Sequence, residues 1–304
     1  LLAANRLQGV GIDSIRIIEK AGDFGGTWYW NRYPGAQCDI ESYIYLPLLE
    51  EVGYIPKEKY SFRPEIFEHA QRIGRHFKLY ERTFFQTQVK GSEWDEESGR
   101  WNIRTDRGDM VQARFLVMSS GPLSRPKLPA IPGITDFKGH TFHTSRWDYD
   151  YTGGDSNGNL SKLRDKRVAV VGTGATAIQC VSHLGAASME LYVFQRTPSA
   201  IDERGNKPTE KEWVESLQPG WHAARNTNFA SILSGIPQEV DLVNDRWTDL
   251  FKSLSKLLSG DQNMSMEDMA VMAEIADYQK MNKLRERVEH TVQDKKAVEA
   301  LKPW

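Results

Sequence analysis

The pattern of hydrophobic and polar positions along the chain predicts a mixed α/β fold. Short apolar runs, typical of parallel strands, lie at residues 15–18, 114–121, 168–171 and 190–194. Residues 84–89 and 100–105 instead alternate apolar and polar side chains, which predicts half-buried antiparallel strands before a turn at 107–109. We therefore expect a small antiparallel sheet before residue 114, a strand at 114–121 that ends at Gly121-Pro122, and a buried parallel strand at 168–171.

Apolar spacing also predicts three helical stretches. Residues 64–82 carry an apolar face that leaves His69 and His76 at the surface. A second helical face begins at Trp247, continues through the leucines up to 258, and ends at Gly260. The pair Ser265 and Asp268 has the spacing of a capping box that opens a third helix.

Composition excludes several classes of function. A chain of 304 residues with 39% hydrophobic and 26% charged residues has room for about two globular domains. The formal net charge of −2 predicts no attraction to nucleic acid or to an acidic membrane, and no apolar run is long enough to span one. The two cysteines, Cys38 and Cys180, have no metal-ligand spacing, so we expect no metal site, no disulfide framework and a cytoplasmic location.

The strand at 168–171 leads directly into a glycine-rich turn with the spacing GxGxxA and then into an apolar helical pattern. In this context the turn predicts a Rossmann-like site, where the pyrophosphate of a dinucleotide lies at a helix N-terminus. Arg196, with Thr197 beside it, stands at the end of the next strand, where an NAD-binding protein usually carries an acidic residue. A cation at this position favours the 2′-phosphate of NADP. The candidate residues of the turn are Gly172, Thr173, Gly174, Ala175, Thr176, Ala177 and Gln179.

A second Rossmann-like half is predicted at the start of the chain. The run 15–18 ends in Glu19, as in a strand whose terminal carboxylate accepts hydrogen bonds from a ribose. The matching phosphate loop belongs about twenty residues earlier. We therefore expect the sequence to be part of a longer protein, without the first glycine loop.

Two further segments combine glycines with aromatic residues. In Gly25-Gly-Thr-Trp-Tyr-Trp30 the glycines allow backbone to approach a planar ligand, and the aromatic rings could stack on it. The segment from Phe137 to Asp148 reads FxGxxxHxxxWD. There Gly139 permits close approach, His143 offers hydrogen bonding and Trp147 offers a large apolar surface, which predicts a packed connector between the two nucleotide-binding halves.

These motifs together resemble those of the Baeyer-Villiger monooxygenases over nearly the whole chain. The resemblance implies that Gly26, Thr27, Trp28, Asp39 and Tyr45 lie at FAD, that Gln37 and Cys38 lie near NADP, and that Val89 is an adenine-side contact. It makes Phe137, Gly139, His143, Trp147 and Asp148 the family fingerprint. Many members have arginine where Gln37 stands.

The resemblance also implies an activity. NADPH reduces FAD, the flavin captures O₂ as a C4a-peroxyflavin, and this attacks a small-molecule ketone to give an ester or lactone. Asp39 is implied as the carboxylate that holds a cation beside the flavin, the cation being an arginine expected beyond Trp304.

We expect three domains: an FAD-binding domain over 1–150, an NADP-binding domain over 151–205 and a helical insertion over 206–304. Two other functions stay open: an N- or S-oxygenating flavin monooxygenase, and an inactive NADP-binding fragment. Trp147-Asp148 favours the Baeyer-Villiger branch. The sequence specifies neither the ketone nor the oligomeric state.

Overall fold

The computed structural model describes residues 1–121, 123, 125–249, 251–252 and 265–303. In chain order the helices and strands are the helix Leu2–Gly9, β1 (Ile17–Ile18), the helices Thr27–Trp30, Ser42–Tyr45 and Arg63–His76, β2 (Thr83–Phe84), β3 (Val89–Asp95), β4 (Arg100–Thr105), β5 (Met110–Ala113), the helix Tyr149–Thr152, β6 (Arg167–Val171), the helix Ala175–Ala187, β7 (Glu190–Phe194), and the helices Lys211–Ser216, Trp221–Leu233, Met266–Thr291 and Lys295–Leu301.

By their contacts these elements form two compact units. Unit 1 contains residues 1–36 and 62–158, and unit 2 contains residues 37–61 and 159–304. Residues 37–61 therefore belong by contact with the second half of the chain. The domain boundaries near 150 and 205 stay a prediction, because compact units and cofactor-binding domains divide a chain by different criteria.

Unit 1 contains two small sheets. β1 pairs with β2 in parallel, and β3, β4 and β5 form the predicted antiparallel sheet, in which Trp94 lies opposite Trp101. The predicted strand 84–89 is divided, since Phe84 ends β2 and Val89 begins β3. Phe24 lies in the core of this unit, with its ring 4.8 Å from that of Tyr80 in an edge-on arrangement.

Two expectations for unit 1 were wrong. Residues 115–121 form no strand, and Phe115 and Met118 are 81% and 82% exposed. A strand requires a neighbouring strand to take up its backbone hydrogen bonds, and among the described residues no strand pairs with this segment. Pro122, where the strand was expected to end, lies outside the described residues. His69 is buried rather than at the surface, because it lies one helical turn from both Ile66 and Ile73 on the apolar face of the helix Arg63–His76.

Unit 2 contains the predicted strand–turn–helix–strand sequence. β6 and β7 pair in parallel over five residues, and the helix Ala175–Ala187 connects them. β6 was expected to be buried, but its side chains alternate between exposed and half-buried, and Val171 is 64% exposed. The cause is the small size of the sheet: among the described residues only β7 pairs with β6.

The rest of unit 2 is largely helical. The capping box is confirmed, because the Ser265 hydroxyl accepts from the backbone of Asp268 while the Asp268 carboxylate accepts from the backbone of Ser265. Of the helical face predicted from Trp247, positions 250 and 253–260 lie outside the described residues. Within the described chain no helix is both long enough and apolar enough to cross a membrane.

Candidate cofactor sites and the Asp39 segment

The glycine turn of unit 2 has the backbone geometry that phosphate binding requires. Gly172 has a φ of +104°, and its N–H donates to the Phe194 carbonyl at 2.8 Å, which fixes the turn against the end of β7. A Cβ added to Gly174 would meet nothing within 4 Å, so a ligand has room to approach. The first N–H groups of the helix Ala175–Ala187 have no intrahelical acceptor, and they suit an anion.

Arg196 and Thr197 lie next to this turn. The Thr173 hydroxyl donates to the Thr197 carbonyl at 3.1 Å, and the Ser199 hydroxyl donates to the Thr173 carbonyl. The Arg196 side chain is exposed. A guanidinium held beside a phosphate-binding turn is chemically suited to a second phosphate group.

Gln37 is hydrogen-bonded through both its backbone and its side chain. Its N–H donates to Gln179 Oε1 at 3.3 Å, and its carbonyl accepts from Gln179 Nε2 at 2.9 Å. Its own Nε2 donates to the Tyr60 carbonyl at 2.7 Å, while its Oε1 accepts from Arg204 Nη1. Gln179, predicted as a cofactor residue, thus uses its carboxamide to hold residue 37.

Cys38 and Asp39 have opposite environments. The Cys38 side chain is 1% exposed, its thiol donates to the Ser61 carbonyl at 3.4 Å, and burial raises its pKa to about 12. The Asp39 side chain is exposed, and among the described residues no cation forms a salt bridge with it. The Asp39 carbonyl accepts a 2.9 Å hydrogen bond from the Trp247 indole. The carboxylate is therefore presented outward from a segment whose backbone is held.

An ion pair that the sequence analysis missed lies two residues further on. The carboxylate of Glu41 is fully buried and accepts from both Nε and Nη2 of Arg225, whose side chain is 12% exposed. Burial raises the pKa of Glu41, while the hydrogen bonds and charge of Arg225 act in the opposite direction. Sequence separation hides this pair, because Arg225 lies 184 positions after Glu41 in a helix without a recognisable motif.

The glycine–aromatic loop of unit 1 is fixed by packing. A Cβ on Gly25 would lie 2.7 Å from the Phe67 ring, and its φ of +127° also requires glycine. Gly26, with a φ of +51°, faces open space. The Trp28 carbonyl accepts from Arg63 Nε at 2.7 Å. Close packing on one side and open space on the other suit a loop that borders a planar ligand.

The segment from Phe137 to Asp148 is held by short-range hydrogen bonds. Nδ1 of His143 lies 2.8 Å from the Ser145 hydroxyl and accepts from the Ser145 N–H at 3.2 Å. The Trp147 indole donates to the Thr152 hydroxyl at 3.1 Å. Asp148 caps the helix Tyr149–Thr152 through the Tyr151 N–H. The Phe137 ring covers Gly139, where a Cβ would meet it at 2.4 Å.

The same segment packs against the glycine–aromatic loop within unit 1. The Arg146 guanidinium lies over the Trp30 ring at 4.1 Å, and the Tyr149 hydroxyl donates to the Arg32 carbonyl. The two motifs that the sequence analysis described separately are therefore in direct contact.

Three predicted residues remain to be placed, namely Glu19, Val89 and Tyr45. The Glu19 carboxylate is half-buried and accepts from the Ala21 N–H at 2.7 Å. Val89 is 41% exposed at the start of β3, and Tyr45 is 36% exposed at the end of its helix. Unit 1 thus holds Glu19, Gly26, Thr27, Trp28, Val89 and the fingerprint, and unit 2 holds Gln37, Cys38, Asp39, Tyr45, the turn 172–177, Gln179, Arg196 and Thr197.

Residues 39–209, more than half of the chain, match the family model described as flavin-binding monooxygenase-like. The chain belongs to the flavin-binding monooxygenase-like family. A Baeyer-Villiger monooxygenase, ATR8, of Stachybotrys chlorohalonatus is 54% identical over the whole of this chain and 49% of its own length. The chain therefore spans about half the length of this curated relative.

Solved structures of the family share the fold. The polycyclic ketone monooxygenase of Thermothelomyces thermophila is 41% identical with a TM-score of 0.90, over 100% of this chain and 52% of that one. A structure of OTEMO in complex with FAD and NADP is 30% identical with a TM-score of 0.75, over 99% and 57%. These similarities confirm the predicted α/β class with Rossmann-type FAD and NADP domains, and the resemblance to Baeyer-Villiger monooxygenases.

Proposed function

We propose that the protein containing this chain is an NADPH- and FAD-dependent Baeyer-Villiger monooxygenase. It inserts one oxygen atom of O₂ next to the carbonyl of a small-molecule ketone. The observation that carries the proposal is the contact between the fingerprint and the glycine–aromatic loop, through Arg146 on Trp30. This contact joins the segment that distinguishes the Baeyer-Villiger branch to a loop built for a planar ligand.

The geometry of the chain fits both cofactors. For NADP, the open face of Gly174, the free N–H groups of the following helix and the exposed Arg196 would hold the pyrophosphate and the 2′-phosphate. For FAD, Gly26, Thr27 and Trp28 would border the isoalloxazine. Together the two cofactors supply reducing equivalents and activated oxygen, while the protein supplies orientation and charge.

Asp39 is the residue that we assign to the chemistry. Its carboxylate is exposed while its backbone is held by Trp247 and by the hydrogen bonds of Gln37. A fixed carboxylate is suited to orient a cation, and a cation beside the flavin stabilises developing negative charge. Two free, buried cysteines support a location in the reducing cytoplasm.

Spectroscopy and product analysis of the full-length protein test the proposal. We expect a flavin absorption spectrum that bleaches on addition of NADPH without oxygen, and an ester from a ketone when oxygen is admitted. Asp39→Ala should retain the flavin and lose ester formation. Sulfoxide from a thioether with no ester from any ketone would instead support the N- or S-oxygenating alternative. For the 304-residue chain by itself, NADP binding without flavin would support the inactive-fragment alternative.

A further inference from the structure

We propose that Arg204 is a positioning residue that acts through Gln37 to hold the Asp39 segment against the NADP-binding helix. The part of the inference that concerns NADP rests on the function proposed above. The linkage consists of three side chains of unit 2, Arg204, Gln37 and Gln179, and we call it the glutamine linkage.

The central contact of the glutamine linkage is unusually specific for two residues 142 positions apart. One carboxamide, that of Gln179, pairs with both the N–H and the carbonyl of Gln37. Gln179 belongs to the second turn of the helix whose N-terminus would hold the pyrophosphate. Asp39 follows Gln37 by two residues, so the position of its carboxylate depends on this helix.

Arg204 fixes the orientation of the Gln37 side chain. Because Oε1 accepts from the guanidinium, Nε2 is directed to the Tyr60 carbonyl at 2.7 Å. Arg204 itself lies 5.7 Å from the centroid of the Tyr60 ring, and that tyrosine is 2% exposed. A flipped carboxamide would place its NH₂ group against the guanidinium, so the cation selects one arrangement.

The environment of Arg204 distinguishes this role from general support of the fold. Its side chain is half-buried rather than enclosed, and its acceptor is the neutral carboxamide of Gln37, so its removal leaves no buried charge. Its hydrogen bond is made to a side chain whose backbone is held by the NADP-binding helix. Loss of Arg204 should therefore loosen the segment 37–39 locally and leave the unit folded.

Cys38 provides a direct measure of that loosening. Its thiol is 1% exposed, so a maleimide reaches it only when the segment opens. In full-length protein, N-ethylmaleimide labelling followed by peptide mass spectrometry reports Cys38 and the equally buried Cys180 in one sample. We expect Arg204→Met to speed Cys38 labelling at least about tenfold, the effect of a lost charge-assisted hydrogen bond, while Cys180 labelling stays unchanged.

Matched variants separate positioning from other effects. Arg164→Met removes an exposed guanidinium of the same unit and should leave both rates unchanged. Gln37→Leu should reproduce Arg204→Met, and the double variant should label no faster than Gln37→Leu alone. A double-variant increase equal to the product of the two single increases would overturn the proposal, as would parallel acceleration at Cys180.

NADP⁺ provides the second arm of the experiment. Saturating NADP⁺ should slow Cys38 labelling in the parent protein at least about tenfold, and this protection should be lost in Arg204→Met and in Gln37→Leu at saturating ligand. Calorimetry gives the binding itself. Absence of NADP⁺ binding in the parent contradicts the proposed function while the first arm still tests the linkage. Binding with equal protection in all variants overturns the linkage.

Discussion

Residues 37–61 and residues 137–152 both carry sequence motifs, but they are held in place in different ways. In the second segment the motif residues bond to partners two to eight positions away, from His143 with Ser145 to His140 with Asp148. In the first segment the partners lie further away, from Ser61, 23 positions after Cys38, to Trp247, 208 positions after Asp39. A motif therefore identifies which residues are present, and its structural support can be local or remote.

The largest expected effect comes from the buried ion pair of the remotely supported segment. Arg225→Met leaves the fully buried Glu41 carboxylate without its cation. Breaking one partner of a buried pair destabilises a protein by about 3 to 5 kcal/mol. Urea denaturation of full-length protein should show this loss in the free energy of unfolding.

The matched control replaces both charges. Glu41→Leu with Arg225→Met removes the need to solvate either group, and such replacements are often close to neutral. We expect the double variant to recover most of the lost stability. A double variant as unstable as Arg225→Met would show that the side chains contribute through shape and not through charge.

The contrast between local and remote support also decides which elements the sequence could predict. The turn 172–177, the capping box at Ser265 and the helix from Arg63 depend on neighbours within a few residues, and all three could be predicted. The strand predicted at 114–121 is absent, and the sequence could not show this, because strand formation depends on a partner elsewhere in the chain. Glu41 gave no usable signal for the same reason, since its partner Arg225 has no motif of its own.

The second-largest expected effect is a loss of NADP⁺ affinity at Arg196, a residue that is expected to bind ligand without supporting the fold. Arg196 is exposed beside the glycine turn. Arg196→Ala should weaken NADP⁺ binding by about 1.5 to 3 kcal/mol, the value of a charge-assisted hydrogen bond, and should leave NAD⁺ binding and unfolding unchanged. Calorimetric titration with both dinucleotides is the measurement. An equal loss for the two would remove the 2′-phosphate role.

A smaller effect is expected from the hydrogen bond that holds the Asp39 backbone. Trp247→Phe removes the indole donor to the Asp39 carbonyl and should cost about 1 kcal/mol of unfolding free energy. Trp94→Phe is a fitting control, since Trp94 is 40% exposed against 42% for Trp247 and its indole N–H has no hydrogen bond among the described residues. Equal losses in the two variants would mean that ring size, and not the hydrogen bond, sets the cost.

The smallest effect belongs to the locally supported segment. The hydrogen bond from the Tyr151 N–H, followed by the interaction with His140, lowers the pKa of Asp148. A lowered pKa means that the stabilisation is complete above the ordinary pKa of an aspartate, about 3.9, and is lost as pH falls through the lower folded value. The midpoint temperature of thermal unfolding should therefore fall less steeply between neutral and acid pH for Asp148→Asn than for the parent. The control Asp109→Asn, at an exposed turn of the same unit, should keep the slope of the parent. Identical slopes for all three proteins would mean that the cap at Asp148 contributes nothing that depends on its charge, and the local support of this segment would then rest on His143 and Trp147.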